Sequence, residues 1–161
     1  MQFTLKHLLA IVFFAALLLC ALLAVTRKSG LQRLLDASSQ GDVDSIRRLV
    51  QSGQDPTEQD QWNSSALMMA ASYGNTEAIE MLLESGVPVD ERSRFQNTPL
   101  IHATQCGELS AVELLIRRGA NAKLTNVNGK NALDLAEEEG HLDIAKFLKL
   151  SSKPDSDPAK Q

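Results

Sequence analysis

The chain has 161 residues, 43% of them hydrophobic and 22% charged, which leaves room for one modest domain. Lys6, Arg27 and Lys28 flank an apolar run, and the chain beyond Lys28 holds 13 Lys and Arg against 20 Asp and Glu, a net charge of −7. That balance excludes nucleic-acid binding through bulk electrostatics, and two cysteines, Cys20 and Cys106, exclude a disulfide framework.

The first element is the run itself, 18 consecutive apolar residues from Leu8 to Val25. As a helix it would reach about 27 Å, close to the roughly 30 Å of a bilayer core. Three readings compete for it. A retained single span fits the length best. A cleaved signal would be cut after Ala24, but bulky Leu22 stands where a small residue is wanted, and Arg27 and Lys28 follow at once. A lipid-modified Cys20 would need small residues where Leu18 and Leu19 stand. The Lys/Arg balance, with Arg27, Lys28 and Arg33 behind the run and Lys6 ahead of it, favours a cytoplasmic-facing domain. The exported side is the alternative, because a short head before an apolar run is also how a signal-anchor looks.

Beyond the run the chain repeats itself. Gly41, Gly74, Gly107 and Gly140 are 33 residues apart, and Gly53, Gly86 and Gly119 keep the same spacing. Ala37, Ala70, Ala103 and Ala136 form a third column, and Leu34, Leu67, Leu100 and Leu133 a fourth. The residues between explain the period. Thr98-Pro99-Leu100 reads as a helix start, with Thr98 as N-cap and Pro99 at the first helical position, where its missing N–H is harmless. Ser65 and Asn131 occupy the same cap slot, and Asp134 places a carboxylate in the first turn after Asn131. A first helix of about eight residues then stops near the Gly107 type of position, because a left-handed backbone costs least at glycine. A second helix, such as Leu109 to Arg118, ends at Gly119.

The segment from Asn97 to Asn121, with Thr98-Pro99-Leu100 and Glu113-Leu114-Leu115, resembles an ankyrin repeat almost position for position. Residues 64–96 match with Ser65-Ala66-Leu67 in place of Thr-Pro-Leu, residues 130–150 as a terminal repeat, and residues 31–63 as a degenerate first one. The resemblance implies an all-α fold, an ankyrin-repeat solenoid of about four helix–turn–helix repeats (31–63, 64–96, 97–129, 130–150). One N-terminal transmembrane helix and a short linker (1–30) precede it, and a disordered tail (151–161) with two prolines follows. The terminal repeats carry charge in columns that are apolar elsewhere. Arg48 stands where Met81, Leu114 and Phe147 stand, and Lys149 where Val50, Leu83 and Ile116 stand. These are the polar caps that a solenoid needs at its ends.

Catalytic chemistry finds little support. No phosphate loop, nucleophile elbow or metal-ligand spacing occurs. His102 and Cys106 share a helix face at i, i+4, but no orienting group or oxyanion site accompanies them. A small Cys/His-dependent enzyme is therefore the remote alternative. His141 is expected to pack between repeats, and Glu137, Glu138 and Glu139 to form a solvated face. No catalytic residue, cofactor, metal ion, nucleic acid or small-molecule substrate is expected.

The resemblance implies a binding surface of loop tips and the exposed, concave side of the first helices. Its slots hold Gln59, Gln61, Trp62, Ser64, Ser72 and Tyr73, then Arg92, Arg94, Phe95, Asn97, Gln105 and Cys106, then Val127, Asn128, Lys130, Glu138 and Glu139. Of the four aromatic residues after the apolar run, only Phe147 falls in a core column; Trp62, Tyr73 and Phe95 all fall in these slots. Aromatic residues and arginine dominate interface hot spots. Trp62, Tyr73, Arg92, Arg94 and Phe95, with Gln61, Asn97 and Gln105, are thus the expected contact residues, unless the aromatics only pack on neighbouring loops. The function expected is a protein–protein interaction module, a scaffold or accessory held at a membrane as a monomer and binding a membrane-associated protein. A soluble exported adaptor, freed by signal cleavage, is the alternative.

Overall fold

The computed structural model describes residues 30–151, together with Val12, Phe14, Ala15, Ala16 and Leu18. Helices alternate along the chain: α1 (30–40), α2 (Val43–Gln51), α3 (Ala66–Ser72), α4 (Thr76–Glu84), α5 (Pro99–Gln105), α6 (Leu109–Arg117), α7 (Ala132–Glu139) and α8 (Leu142–Ser151). The inner helices α3, α5 and α7 pack on one another in succession, and the outer helices α2, α4, α6 and α8 form a second row behind them.

The expected caps form. Ser65 and Thr98 each accept a hydrogen bond from the backbone N–H three residues on, at Met68 (3.1 Å) and Ile101 (3.2 Å). Asn131 and Asp134 close a reciprocal capping box. Such a cap contributes about 1 kcal/mol, which matters for helices of only seven or eight residues. The second helix of the third repeat ends one residue sooner than expected, with Arg118 as its C-cap.

The leucine and alanine columns build the core. Leu34, Leu67 and Leu100 are fully buried, as are Ala70, Ala103 and Ala136. Small alanines let the helices of one repeat approach the next, while each buried leucine contributes about 2 kcal/mol. Leu133, in the last described repeat, is only partly buried. In the charged end columns Arg48 is exposed and hydrogen-bonds Ser45, and Lys149 is exposed beside Glu137 at 2.5 Å.

The first glycine column has a second cause besides its positive φ. The residue just after each glycine turn is aimed at the corresponding turn of the repeat before. Asn75 donates to the carbonyls of Ser38 (2.8 Å) and Ser39 (2.9 Å). A Cβ on Gly74 would lie 2.2 Å from Glu108 Oε2, and one on Gly107 would lie 2.8 Å from His141 Cε1. Gly140, in the last described repeat, has nothing within 4 Å of that position among the described residues. Each turn is thus locked by the next repeat, and His141 packs between repeats as expected.

At the two ends of the chain the description is narrower. Ser151, expected to begin the tail, instead belongs to α8, its Oγ donating to the Leu148 carbonyl; the rest of the expected tail, 152–161, lies outside the described residues. Val12, Phe14 and Leu18 are helical and exposed. Among the described residues no helix is long and apolar enough to cross a membrane, and most of the expected span at 8–25 lies outside them.

Candidate functional site

Between an outer helix and the next inner helix the chain makes a tight hairpin, three times at the same interval. Asp60, Ser93 and Asn126 each donate their N–H to the carbonyl four residues on, at Ser64, Asn97 and Lys130. The turns close with left-handed residues at Asn63 (φ 55°), Gln96 (φ 60°) and Gly129 (φ 73°). Side chains at the hairpin starts hold the turns shut. Asp60 Oδ1 accepts from the N–H groups of Trp62 and Ser64, both at 2.8 Å. Ser93 Oγ accepts from Asn97 N (3.1 Å), and Asn126 Oδ1 from Asn128 N (2.9 Å) and Lys130 N (3.2 Å). These short polar side chains mimic backbone turns.

Neighbouring hairpins join edge to edge. Arg94 N donates to Trp62 O (2.9 Å), and Val127 N to Phe95 O (3.0 Å). The tips therefore form one row, Gln61-Trp62-Asn63 beside Arg94-Phe95-Gln96 beside Val127-Asn128-Gly129. Large apolar side chains stand out from it: Trp62 is 49% exposed, Phe95 55% and Val127 59%. The Arg94 guanidinium lies 5.6 Å from the Trp62 ring centre.

The other expected contact residues divide. Tyr73, 59% exposed, is the C-cap of α3 and stands about one helix length (roughly 10 Å) from the tip row, in register with exposed Cys106 on the next inner helix. Gln61 is exposed on its tip. Asn97 and Gln105 are partly buried and face each other, Asn97 Nδ2 donating to Gln105 Oε1 at 3.4 Å. Arg92 serves the scaffold: its Nη1 donates to the carbonyls of Gln96 (3.3 Å) and Thr125 (3.0 Å), linking the second hairpin to the third.

Two groups were not legible as a pair. Glu91, between the first and second hairpins, accepts a short hydrogen bond from Ser65 Oγ and another from Gln59 Nε2 at 3.4 Å. Burial raises its carboxyl above the ordinary value despite those bonds. The Cys/His pairing gains no support from the geometry. His102 Nε2 is buried without a hydrogen-bond partner among the described residues, and burial lowers the imidazole pKa, whereas Cys106 is exposed. Among the described residues no group of three or more His, Cys, Asp or Glu is placed to hold a metal ion. The three consecutive glutamates point different ways, Glu137 to Lys149, Glu138 to Lys130 and Glu139 towards His141.

No curated protein matches this sequence. A family model, Ankyrin repeats (3 copies), matches residues 34–126 and again residues 89–160. Those matches cover most of the chain: this protein belongs to the ankyrin-repeat family.

Proposed function

We propose that this protein is an accessory or scaffold held at a membrane by residues 8–25, monomeric, and binding a membrane-associated protein. Ankyrin repeats are interaction modules, generally without enzymatic activity. The finer reading rests on one observation: Trp62, Tyr73 and Phe95 are all about half exposed in a domain with only one other aromatic residue. A partner would lie along the inner-helix face ending at Tyr73 and reach the hairpin edge. The tether is supported by the 18-residue apolar run and by the exposure of helical Val12, Phe14 and Leu18. Arg27, Lys28 and Arg33 favour the cytoplasmic side.

Replacing Trp62, Tyr73, Arg94 and Phe95 together by alanine tests the surface. Capture of the partner from detergent-solubilised membranes is lost while the unfolding midpoint stays nearly unchanged. A large fall in the midpoint would make them packing residues instead. Mass spectrometry of the mature N-terminus tests the tether. An intact Met1 end is expected, whereas a chain starting after Ala24 would make the protein an exported adaptor.

A further inference from the structure

The tip row differs in composition from the rest of the domain. The nine residues of its three tips include no carboxylate, although 20 acidic residues follow the apolar run. Asp60, the acid closest in sequence, is folded back onto the backbone N–H groups of Trp62 and Ser64. What the row offers outward is Trp62, Phe95 and Val127, with the Arg94 guanidinium beside the indole.

The place where the chain enters the domain lies at the same edge. Gly30, the first residue of α1, is 33 residues before Asn63 and so holds the register position of a hairpin tip. Leu31, Gln32 and Leu35 on α1 line one side of a groove of about 410 Å³ whose other side includes Gln61 and Trp62. From Val25, the end of the apolar run, to Gly30 are five residue steps, which span at most about 18 Å even fully extended. A tether at 8–25 therefore holds Gly30, and with it the first hairpin of the edge, close to the bilayer.

We propose that the tip row rests on the lipid surface itself, with Trp62, Phe95 and Val127 at headgroup level and Arg94 facing anionic headgroups. Trp is favoured at the membrane–water interface because its ring is apolar and its N–H is wet. Tips free of carboxylates, in a domain of net charge −7, limit repulsion from anionic lipid where they touch it, with Glu58 and Asp60 set back in the groove beside Trp62. This rests on the tether proposed above. It divides the surface described there, giving the tips to lipid and leaving the inner-helix face near Tyr73 and Gln105 to a protein partner.

Trp62 is the only tryptophan in the chain, so its fluorescence reports the row directly. The full chain is reconstituted without other proteins into phosphatidylcholine–phosphatidylserine vesicles, and in parallel into vesicles with brominated phosphatidylcholine. Bromine near the headgroups is expected to lower Trp62 emission about twofold, with weak quenching by aqueous acrylamide. Replacing Phe95 and Val127 by aspartate should restore the emission while the chain still floats with the vesicles. Unchanged emission in brominated vesicles, with strong acrylamide quenching, overturns the proposal and leaves the tether standing. Shielding from acrylamide without bromine quenching would mean that protein, such as a second copy, covers the tips, and also overturns it. A wild-type chain that fails to float with the vesicles overturns tether and proposal together.

Discussion

Arg94 and Trp62 meet twice, once through the backbone, where Arg94 N donates to Trp62 O at 2.9 Å, and once through their side chains, with the guanidinium 5.6 Å from the indole centre. The backbone bond belongs to the repeat and survives any substitution that keeps the turn. The side-chain contact is exposed and contributes about 0.5–1 kcal/mol. Arg94→Ala should therefore lower stability in urea by no more than about 1 kcal/mol while changing the Trp62 emission spectrum. A loss several times larger would mean that Arg94 supports the fold.

Gly107 and Gly140 separate two causes of a glycine column. Their φ values are nearly equal, +77° and +79°, but only Gly107 lies under His141. Gly140→Ala should cost about 1 kcal/mol, the left-handed strain alone. Gly107→Ala should cost clearly more, since its methyl would press on the imidazole at 2.8 Å. Equal losses in chemical denaturation would contradict the interlocking of repeats.

The solenoid could be read from spacing because its determinants are single residues at one interval: leucines and alanines that must be buried, glycines that must be left-handed, and caps that must accept. The hairpins were less legible. Their left-handed position is glycine only at Gly129, and Asn63 and Gln96 conceal the same column. Trp62, Tyr73 and Phe95 were identifiable as outward-facing because they fell outside every core column. Arg92 fell in the same slots, yet its bonds to the Gln96 and Thr125 carbonyls come from loop geometry that spacing does not encode. The bond between Ser65 and Glu91 was hidden for the same reason, as it joins a helix cap to the next hairpin.

His102 makes stability depend on pH. Burial holds its folded-state pKa below the ordinary 6.5, so the unfolded chain takes up the proton first as pH falls through that value. The stability is present above the ordinary pKa and lost below it. His102→Met, which repeats the Met69 of the preceding inner helix, should remove this loss and leave Nε2 no buried polar atom to orphan. Urea titrations at about pH 7.5 and about pH 5 should show the variant gaining on the wild type at the lower pH. A constant difference would contradict the assignment.

Glu91 acts in the opposite sense. Its carboxyl is raised above the ordinary 4.5, so between that value and its folded pKa the unfolded chain releases the proton first. Wild-type stability therefore falls as pH rises through this window. Glu91→Gln keeps an acceptor for Ser65 Oγ and has no charge to bury. Its stability relative to the wild type should rise from about pH 4 to about pH 7. A relative loss over that range would show that the ionised carboxylate, not the neutral acid, suits the site.

The most direct test of a membrane-held module that binds protein along its inner helices is photocrosslinking in intact membranes. A photoreactive residue is placed in the full chain either at Tyr73, at the end of α3, or at exposed Arg117 on the outer helix α6. The account predicts one discrete protein adduct from position 73, none from position 117, and both chains in the membrane fraction. Adducts from position 117 alone, equal adducts from both, or none from either would contradict it.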